Sequence, residues 1–173
     1  MITRLNHAVL FVRDVRRSVD FYTRVLGFRV VPMAPTGMDA EFLQAPGSSN
    51  DHDLGLFGVG DSAQPSAAGR GSVGLYHLAW EVDTLDALEG LHAALTEADA
   101  LTGATDHGTT KSLYGRDPDG LQFELAWIVP ASQLTAEALA ARSTIAPLDL
   151  SREKARYGAD VRGGVGVSQP VST

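Results

Sequence analysis

The segments LNHAVLFV (residues 5–12) and LYHLAWEV (residues 75–82) are short, mostly apolar stretches that each carry a histidine as their third residue. Apolar runs of this length, rich in Val, Leu and aromatic residues, are typical of buried strands. An acidic turn follows each of them, at Asp14 and at Asp83. Because the same features occur twice in the same order, the sequence predicts two copies of one structural unit.

A helix is predicted after the first strand of each copy. Residues 18–26 place apolar side chains at intervals of three and four and end on Gly27, a residue favoured just past the end of a helix. Residues 85–98 carry four leucines on one helical stripe. The strands expected after these helices are Phe28–Met33, Ala40–Gln44 and Asp53–Val59 in the first copy, and a run ending in Leu121–Ile128 in the second. Both copies therefore have the predicted order β-α-β-β-β.

The predicted organisation is one α+β domain over residues 1–130, with modules at about 4–60 and 74–130. Residues 60–73 are small, polar and rich in Gly and Pro, which is typical of a flexible connection. Residues 131–173 are expected to form a C-terminal extension without a chemical role. We predict a helix over Thr135–Arg142 in this extension and disorder over residues 158–173.

The composition excludes several classes of protein. The 173 residues include no cysteine, which excludes disulfides, thiolate zinc sites, iron–sulfur clusters and cysteine nucleophiles. A net charge of −7 without a basic cluster argues against nucleic acid as a partner. No stretch approaches the roughly 18 apolar residues of a membrane span, and the N-terminus lacks a basic leader followed by a long apolar run. The sequence therefore predicts a cytoplasmic protein that does not bind membranes.

The candidate metal ligands repeat with the strands. His7 and His52 are 45 residues apart, and His77 and Glu124 are 47 residues apart, so the two copies are expected to present these side chains to one shared site. Read singly, a histidine on an apolar strand is more often a hydrogen-bonded core residue than a ligand. Glu124 lies in an apolar run, where a buried carboxylate needs a metal or an arginine to compensate its charge. Two histidines and one carboxylate form the ligand set of an open-sided iron(II) site.

The segment HGTTKSLYGRDPDGLQFE (residues 107–124) resembles the signature of extradiol ring-cleaving dioxygenases, in which a His, a Tyr and a metal-binding Glu follow in that order. Residues 52–54 resemble the strand that carries the acid/base histidine of that branch. The chain is thus identified as a member of the vicinal oxygen chelate superfamily, over about residues 4–130. The resemblance implies two tandem β-α-β-β-β modules that form a curved, mostly antiparallel sheet around a metal cavity.

The resemblance also implies a reaction and a set of residue roles. The substrate would be a catechol-type aromatic diol cleaved with O2, and the chain has one module pair where many ring-cleaving enzymes have two. Fe(II) is the expected metal, with Mn(II), Ni(II) or Zn(II) as alternatives, and a homodimer is compatible with an apolar sheet edge. The implied roles are metal ligand for His7, His77 and Glu124, proton shuttle for His52, and catalytic hydrogen bonding for His107 and Tyr114, with Tyr114 donating to a substrate oxygen.

Two other functions stay open at this point. A glyoxalase-like or epimerase-like isomerase or lyase would use two histidines and two carboxylates with nickel or zinc. Its second carboxylate is expected where the sequence has His52 and Asp53. A metal-free drug-binding module of the bleomycin-resistance kind would need an aromatic-lined groove and no ligand set.

Overall fold

The computed structural model describes residues 1–2, 4–69 and 71–164. These residues fall into two compact units, one of residues 1–72 with 117–121 and one of residues 73–116 with 122 onward. Both units contain the predicted β-α-β-β-β order, and the α+β class is confirmed. The strands of the described residues form two hydrogen-bonded sheets, of four and five strands.

The first unit contains β1 (Ala8–Val12), α1 (Val15–Arg24), β2 (Arg29–Val31), β3 (Ala40–Gln44) and β4 (Leu54–Gly58). The sheet order is β1-β4-β3-β2, with β1 parallel to β4 and the other pairs antiparallel. Helix α1 begins before the predicted Ser18 because the Asp14 side chain caps its N-terminus by accepting a hydrogen bond from the Arg17 N–H. Strand β2 ends before Pro32, which has no N–H for a strand ladder.

Alternation along β1 separates a buried face from an open one. Leu10 and Val12 are buried, whereas Val9 and Phe11 are exposed on the other side of the strand. Further core residues of this unit are Tyr22 on α1, Leu43 on β3, and Leu54 and Leu56 on β4. The first-strand histidine, His7, directly precedes β1. The sheet therefore anchors the segment that carries this candidate ligand.

Residues 117–121 form the turn that the Asp-Pro-Asp-Gly sequence predicts, and they group with the first unit. The Asp117 carboxylate accepts hydrogen bonds from the backbone N–H groups of Asp119 and Leu121, each at 2.9 Å. Gly120 has φ +83°, a conformation that glycine adopts without strain. Burial raises the pKa of Asp117 in spite of these hydrogen bonds, and the Tyr22 hydroxyl donates to its other oxygen at 3.3 Å.

The second unit contains β5 (His77–Glu81), α2 (Leu85–Glu97), β6 (Leu101–Asp106), β7 (Thr110–Arg116), β8 (Gln122–Ile128), α3 (Ala136–Ala140), β9 (Ala146–Pro147) and α4 (Leu150–Tyr157). Its sheet order is β5-β8-β7-β6-β9, with β5 parallel to β8 and the other pairs antiparallel. Helix α2 matches its prediction closely, because Thr84 caps its N-terminus and Leu85, Leu88 and Leu95 are buried. No helix among the described residues is long and apolar enough to cross a membrane.

The extension contains more structure than the sequence predicts. The helix expected over Thr135–Arg142 is α3 followed by a 3-10 turn at Ala141–Ser143, and β9 and α4 were not predicted. Disorder was wrongly expected for residues 158–164, since the Val161 carbonyl accepts from Trp127 Nε1 at 3.1 Å and the Gly163 N–H donates to Asp83 O at 2.7 Å. The same prediction for residues 165–173 lies outside the described residues.

Candidate metal centre

His77 and Glu124 form the central pair of the candidate site. They lie on the neighbouring parallel strands β5 and β8, where Ala79 is the partner of Glu124 in the ladder. His77 Nε2 is 3.2 Å from Glu124 Oε2. Two ligands at right angles on an octahedral ion, each with a bond of ~2.1 Å, would be about 3 Å apart, so this distance suits two adjacent donors to one metal.

The surroundings of this pair are consistent with a ligand role. The His77 side chain is 25% exposed and that of Glu124 is 14% exposed, so both are partly withdrawn from water. His77 Nδ1 is buried and has no hydrogen-bond partner among the residues that the structure describes. A nitrogen and an oxygen donor of this kind suit Fe(II), Mn(II), Ni(II) or Zn(II).

The second oxygen of Glu124 is held by the next strand. Ser112 Oγ donates to Glu124 Oε1 at 2.5 Å, and the Tyr114 hydroxyl lies 3.4 Å from the same oxygen. Tyr114 is directly opposite Glu124 in the β7–β8 ladder. Ser112 was missed in the sequence, although its place two residues before Tyr114 puts both side chains on one face of β7.

His107 extends this chain of contacts away from Glu124. It lies in the connection between β6 and β7, and its Nε2 is 3.0 Å from the Tyr114 hydroxyl. Its Nδ1 is 3.2 Å from the carbonyl oxygen of Thr144, which belongs to the extension. Burial raises the pKa of Tyr114, and the nearby Glu124 charge raises it further. The second unit therefore brings together four of the predicted site residues: His77, His107, Tyr114 and Glu124.

The remaining two predicted residues, His7 and His52, meet in the first unit. Their ring centroids are 4.5 Å apart, and the ring of His52 also contacts Phe42. His52 is 8% exposed, so it is not the solvated loop residue that its polar neighbours alone would suggest. Its Nδ1 is 3.0 Å from Asp51 Oδ1 but makes no aligned hydrogen bond, whereas His7 Nδ1 pairs with Asn6 Oδ1 at 2.7 Å.

Asp53, the carboxylate that an isomerase-type site would need, is engaged in holding its own loop. Its oxygens accept hydrogen bonds from the Ala45 N–H at 2.8 Å, from Ser48 Oγ at 2.7 Å and from Asn50 Nδ2 at 2.8 Å. These contacts fix the turn that precedes β4 and keep His52 buried. A carboxylate satisfied in this way is a poor candidate for a fourth metal ligand.

The first unit holds the pair His7 and His52, and the second unit holds the pair His77 and Glu124. Among residues 1–2, 4–69 and 71–164, no three His, Asp or Glu side chains form a group that could hold a metal ion. The three-residue set of His7, His77 and Glu124 therefore stays a prediction.

The two β-α-β-β-β modules define the class of this α+β protein. The chain belongs to the glyoxalase/bleomycin resistance protein/dioxygenase superfamily, whose profile matches residues 4–125. A solved domain of the same superfamily from Frankia sp. EAN1pec superposes with a TM-score of 0.60 at 22% identity, over 73% of this chain and 98% of that one. This structural likeness supports the fold.

Sequence relatives fall into two reaction classes. A catechol-2,3-dioxygenase from Bacillus subtilis is 33% identical over 126 residues, which cover 71% of this chain and 41% of the relative. A probable lactoylglutathione lyase from Vibrio cholerae is 27% identical over 129 residues, which cover 70% of this chain and 88% of the relative. The chain therefore spans less than half the length of the dioxygenase and most of the length of the lyase.

Proposed function

We propose that this protein is an Fe(II)-dependent extradiol dioxygenase that cleaves a catechol-type aromatic diol. The observation that carries the proposal is the His77–Glu124 pair, with Nε2 and Oε2 3.2 Å apart, backed by Ser112 and Tyr114 on one carboxylate oxygen. His7 would supply the third ligand. These three residues would hold the iron, and the chemistry it would supply is to acidify a bound diol and bring it together with O2.

The described residues have distinct parts in such a reaction. Ser112 orients Glu124 by holding Oε1, which leaves Oε2 directed at His77. His52 is buried beside His7, and its imidazole would take a proton from the diol and return it. Tyr114 and His107 form a hydrogen-bonded pair next to Glu124 that can bind the substrate oxygens.

The overall change balances without an added reductant. One carbon–carbon bond of the ring next to the diol breaks, and both atoms of O2 enter the product, a muconic semialdehyde type of compound. The four electrons that O2 accepts come from the diol and the broken bond. The chain's own residues need only bind the diol, orient it and move protons.

A lyase or isomerase of the glyoxalase kind is the second candidate, favoured by the relative from Vibrio cholerae that matches over most of its length. It would need a second carboxylate at the site. The Asp53 carboxylate accepts three hydrogen bonds within its own loop, which argues against this role. The two candidates also differ in their need for oxygen.

The test uses the full chain, loaded with Fe(II) under anaerobic conditions and mixed with a panel of catechols in an oxygen electrode. We expect no turnover without oxygen, and one O2 consumed per yellow ring-opened product once oxygen is admitted. Glu124→Ala should lose activity, and Glu81→Ala, at an exposed carboxylate on β5, is the matched control that should retain it. Oxygen-independent conversion of a hemithioacetal, with no catechol turnover, would replace the dioxygenase with the lyase.

A further inference from the structure

We propose that the backbone carbonyl of Thr144, which lies beyond the two modules, fixes the tautomer of His107 and so determines where the Tyr114 hydroxyl donates its hydrogen. The tautomer is a property of the second unit and does not depend on any reaction. Its catalytic consequence rests on the proposed function. Thr144 would thus be a positioning residue contributed by the extension.

The first step concerns the proton on His107. Its Nδ1 is 3.2 Å from Thr144 O, and a carbonyl oxygen can only accept a hydrogen bond. Nδ1 must therefore carry the proton in this contact. In a neutral imidazole the other nitrogen then has no proton, so Nε2 of His107 is an acceptor.

The second step concerns the single hydroxyl hydrogen of Tyr114. His107 Nε2 lies 3.0 Å from the hydroxyl oxygen, whereas Glu124 Oε1 lies 3.4 Å away, near the long limit for a hydrogen bond. Glu124 Oε1 already accepts from Ser112 at 2.5 Å. The hydrogen of Tyr114 therefore goes to His107, and the Tyr114 oxygen can then accept a hydrogen bond from a diol O–H.

This result reverses the role expected for Tyr114 from the sequence. A tyrosine whose hydrogen is donated to His107 accepts a hydrogen bond from a substrate O–H instead of donating one to the substrate. It would favour binding of a diol that still has one O–H, and it would disfavour a ligand with acceptor oxygens only.

The position of the Thr144 carbonyl is determined by the docking of the extension onto β6. Ala146 of β9 pairs with Asp106, the residue before His107, and the Thr144 N–H and Oγ1 both bond to Ala141 O, at 2.9 and 2.6 Å. Gly108 has φ +73°, and a Cβ built there would lie 2.5 Å from the Ala138 carbonyl oxygen. The backbone on each side of His107 is thus in close contact with the extension.

The test reads the tautomer directly in the metal-free full chain. Protein labelled with 15N in its histidines is studied by long-range 1H–15N correlation at a pH where the imidazoles are neutral. His107→Asn identifies the His107 signals by their loss. We expect the proton on Nδ1, with Nε2 showing the shift of an unprotonated nitrogen. A proton on Nε2 of His107 in the wild-type protein overturns the proposal, whatever the enzyme activity.

A pair of variants then tests whether the Thr144 carbonyl is the cause. Thr144→Pro removes the N–H that bonds to Ala141 and disfavours the helical conformation of Ser143, so the carbonyl should shift and His107 should show a mixture of tautomers. Thr144→Ala keeps the N–H and the carbonyl and should give the wild-type spectrum. An unchanged His107 spectrum in folded Thr144→Pro protein would contradict the proposal.

The outcomes separate this inference from the proposed function. An Nδ1-protonated His107 in a protein that turns over no catechol would leave the inference standing and reject the dioxygenase. Catechol turnover with an Nε2-protonated His107 would support the dioxygenase and overturn the inference. If Thr144→Pro does not fold, a proton on Nε2 of His107 in the wild-type protein still overturns the inference.

Discussion

The Lys111 ammonium, only 1% exposed, lies 2.9 Å from a carboxylate oxygen of Glu153, whose side chain is fully buried. The contact is an ion pair without an aligned hydrogen bond at Glu153 Oε2. Lys111 Nζ also lies 2.5 Å from Asp106 Oδ1, and Arg152 Nε donates to the other oxygen of Glu153 at 2.9 Å. Helix α4 of the extension is therefore joined to β6 and β7 through buried charges.

Removing one partner of this pair should be costly, because the other charge stays buried with one ion-pair partner fewer: Lys111 keeps Asp106, and Glu153 keeps Arg152. We expect Glu153→Gln and Lys111→Met, each made alone, to lower the free energy of unfolding by up to about 3–5 kcal/mol, the cost of a fully unpaired buried charge. The double variant Lys111→Met with Glu153→Leu should recover most of that loss, since both buried charges of the pair are removed and Asp106 still has Arg152 as a partner. Urea denaturation followed by circular dichroism measures all three.

An exposed pair provides the control for this experiment. Arg24 and Asp20 are 2.7 Å apart on α1, with side chains 79% and 57% exposed. Arg24→Ala should change the free energy of unfolding by no more than about 0.5 kcal/mol. A loss for Glu153→Gln no larger than that of Arg24→Ala would show that the buried pair does not anchor the extension.

The second prediction concerns stability in acid. Burial raises the pKa of Asp106, but the hydrogen bonds from the Lys111 ammonium and the Gly108 N–H outweigh it, so the net pKa is lowered. A carboxyl with a lowered folded-state pKa contributes stability above its unfolded pKa of about 4, and that contribution is lost as the pH falls through the folded value. Asp106→Asn should therefore flatten the fall in unfolding free energy below about pH 4. A fall in unfolding free energy below about pH 4 that is identical in Asp106→Asn and in the wild type would contradict this prediction.

The third prediction concerns Asp117, whose contribution to stability changes with pH in the opposite direction. Burial raises the pKa of Asp117, so its contribution to stability is greatest below the unfolded pKa and is lost as the pH rises through the folded value. Asp117→Asn keeps an oxygen to accept from Asp119 and Leu121 and presents an amide to the Tyr22 hydroxyl. The variant should gain stability relative to the wild type between about pH 4 and pH 7, as measured by urea unfolding across that range. A pH-independent difference between the two proteins would reject the raised pKa.

The sequence predicted the elements whose signals are local. The leucine stripe and Thr84 define α2, and the Asp-Pro-Asp-Gly turn forms where it was expected, because backbone preferences and caps act within a few residues. Helix α4 escaped prediction since its buried Glu153 pairs with Lys111, which lies 42 residues earlier in the chain. A buried lysine and a buried glutamate look like surface residues in a sequence.

The candidate site divides in a similar way. Pairing of His77 with Glu124 followed from the repeat, because first and last strands of a module are neighbours in its sheet. The repeat did not predict the contacts of Ser112 or of the Thr144 carbonyl. A serine on a strand carries no distinctive pattern, and a backbone carbonyl is independent of residue type, so only the folded chain reveals their contacts.

The fourth prediction separates a metal ligand from the residue that orients it. Protein reconstituted with Fe(II) should hold about one iron per chain, and Glu124→Ala should abolish tight binding. Ser112→Ala leaves both candidate donors in place and removes only the hydrogen bond to Glu124 Oε1, so iron affinity should fall about 10–100-fold. Iron content after gel filtration and competition with a chelator measure the two effects. Normal iron occupancy in Glu124→Ala would contradict the assignment of Glu124 as a ligand.

The last prediction concerns His52, which is buried beside His7 and against Phe42. A proton shuttle contributes about 10²–10⁴-fold to rate, whereas loss of a ligand removes the metal itself. His52→Phe keeps an aromatic ring against His7 and Phe42, so it should keep iron and catechol binding and lower turnover by about that factor. His92→Phe, at a helix position away from the candidate site residues, is the control and should leave turnover unchanged. If His52→Phe loses iron, His52 is a fourth ligand and the site resembles that of a lyase. If turnover is unchanged, the acid/base role belongs to another group, and His107 is the next residue to test.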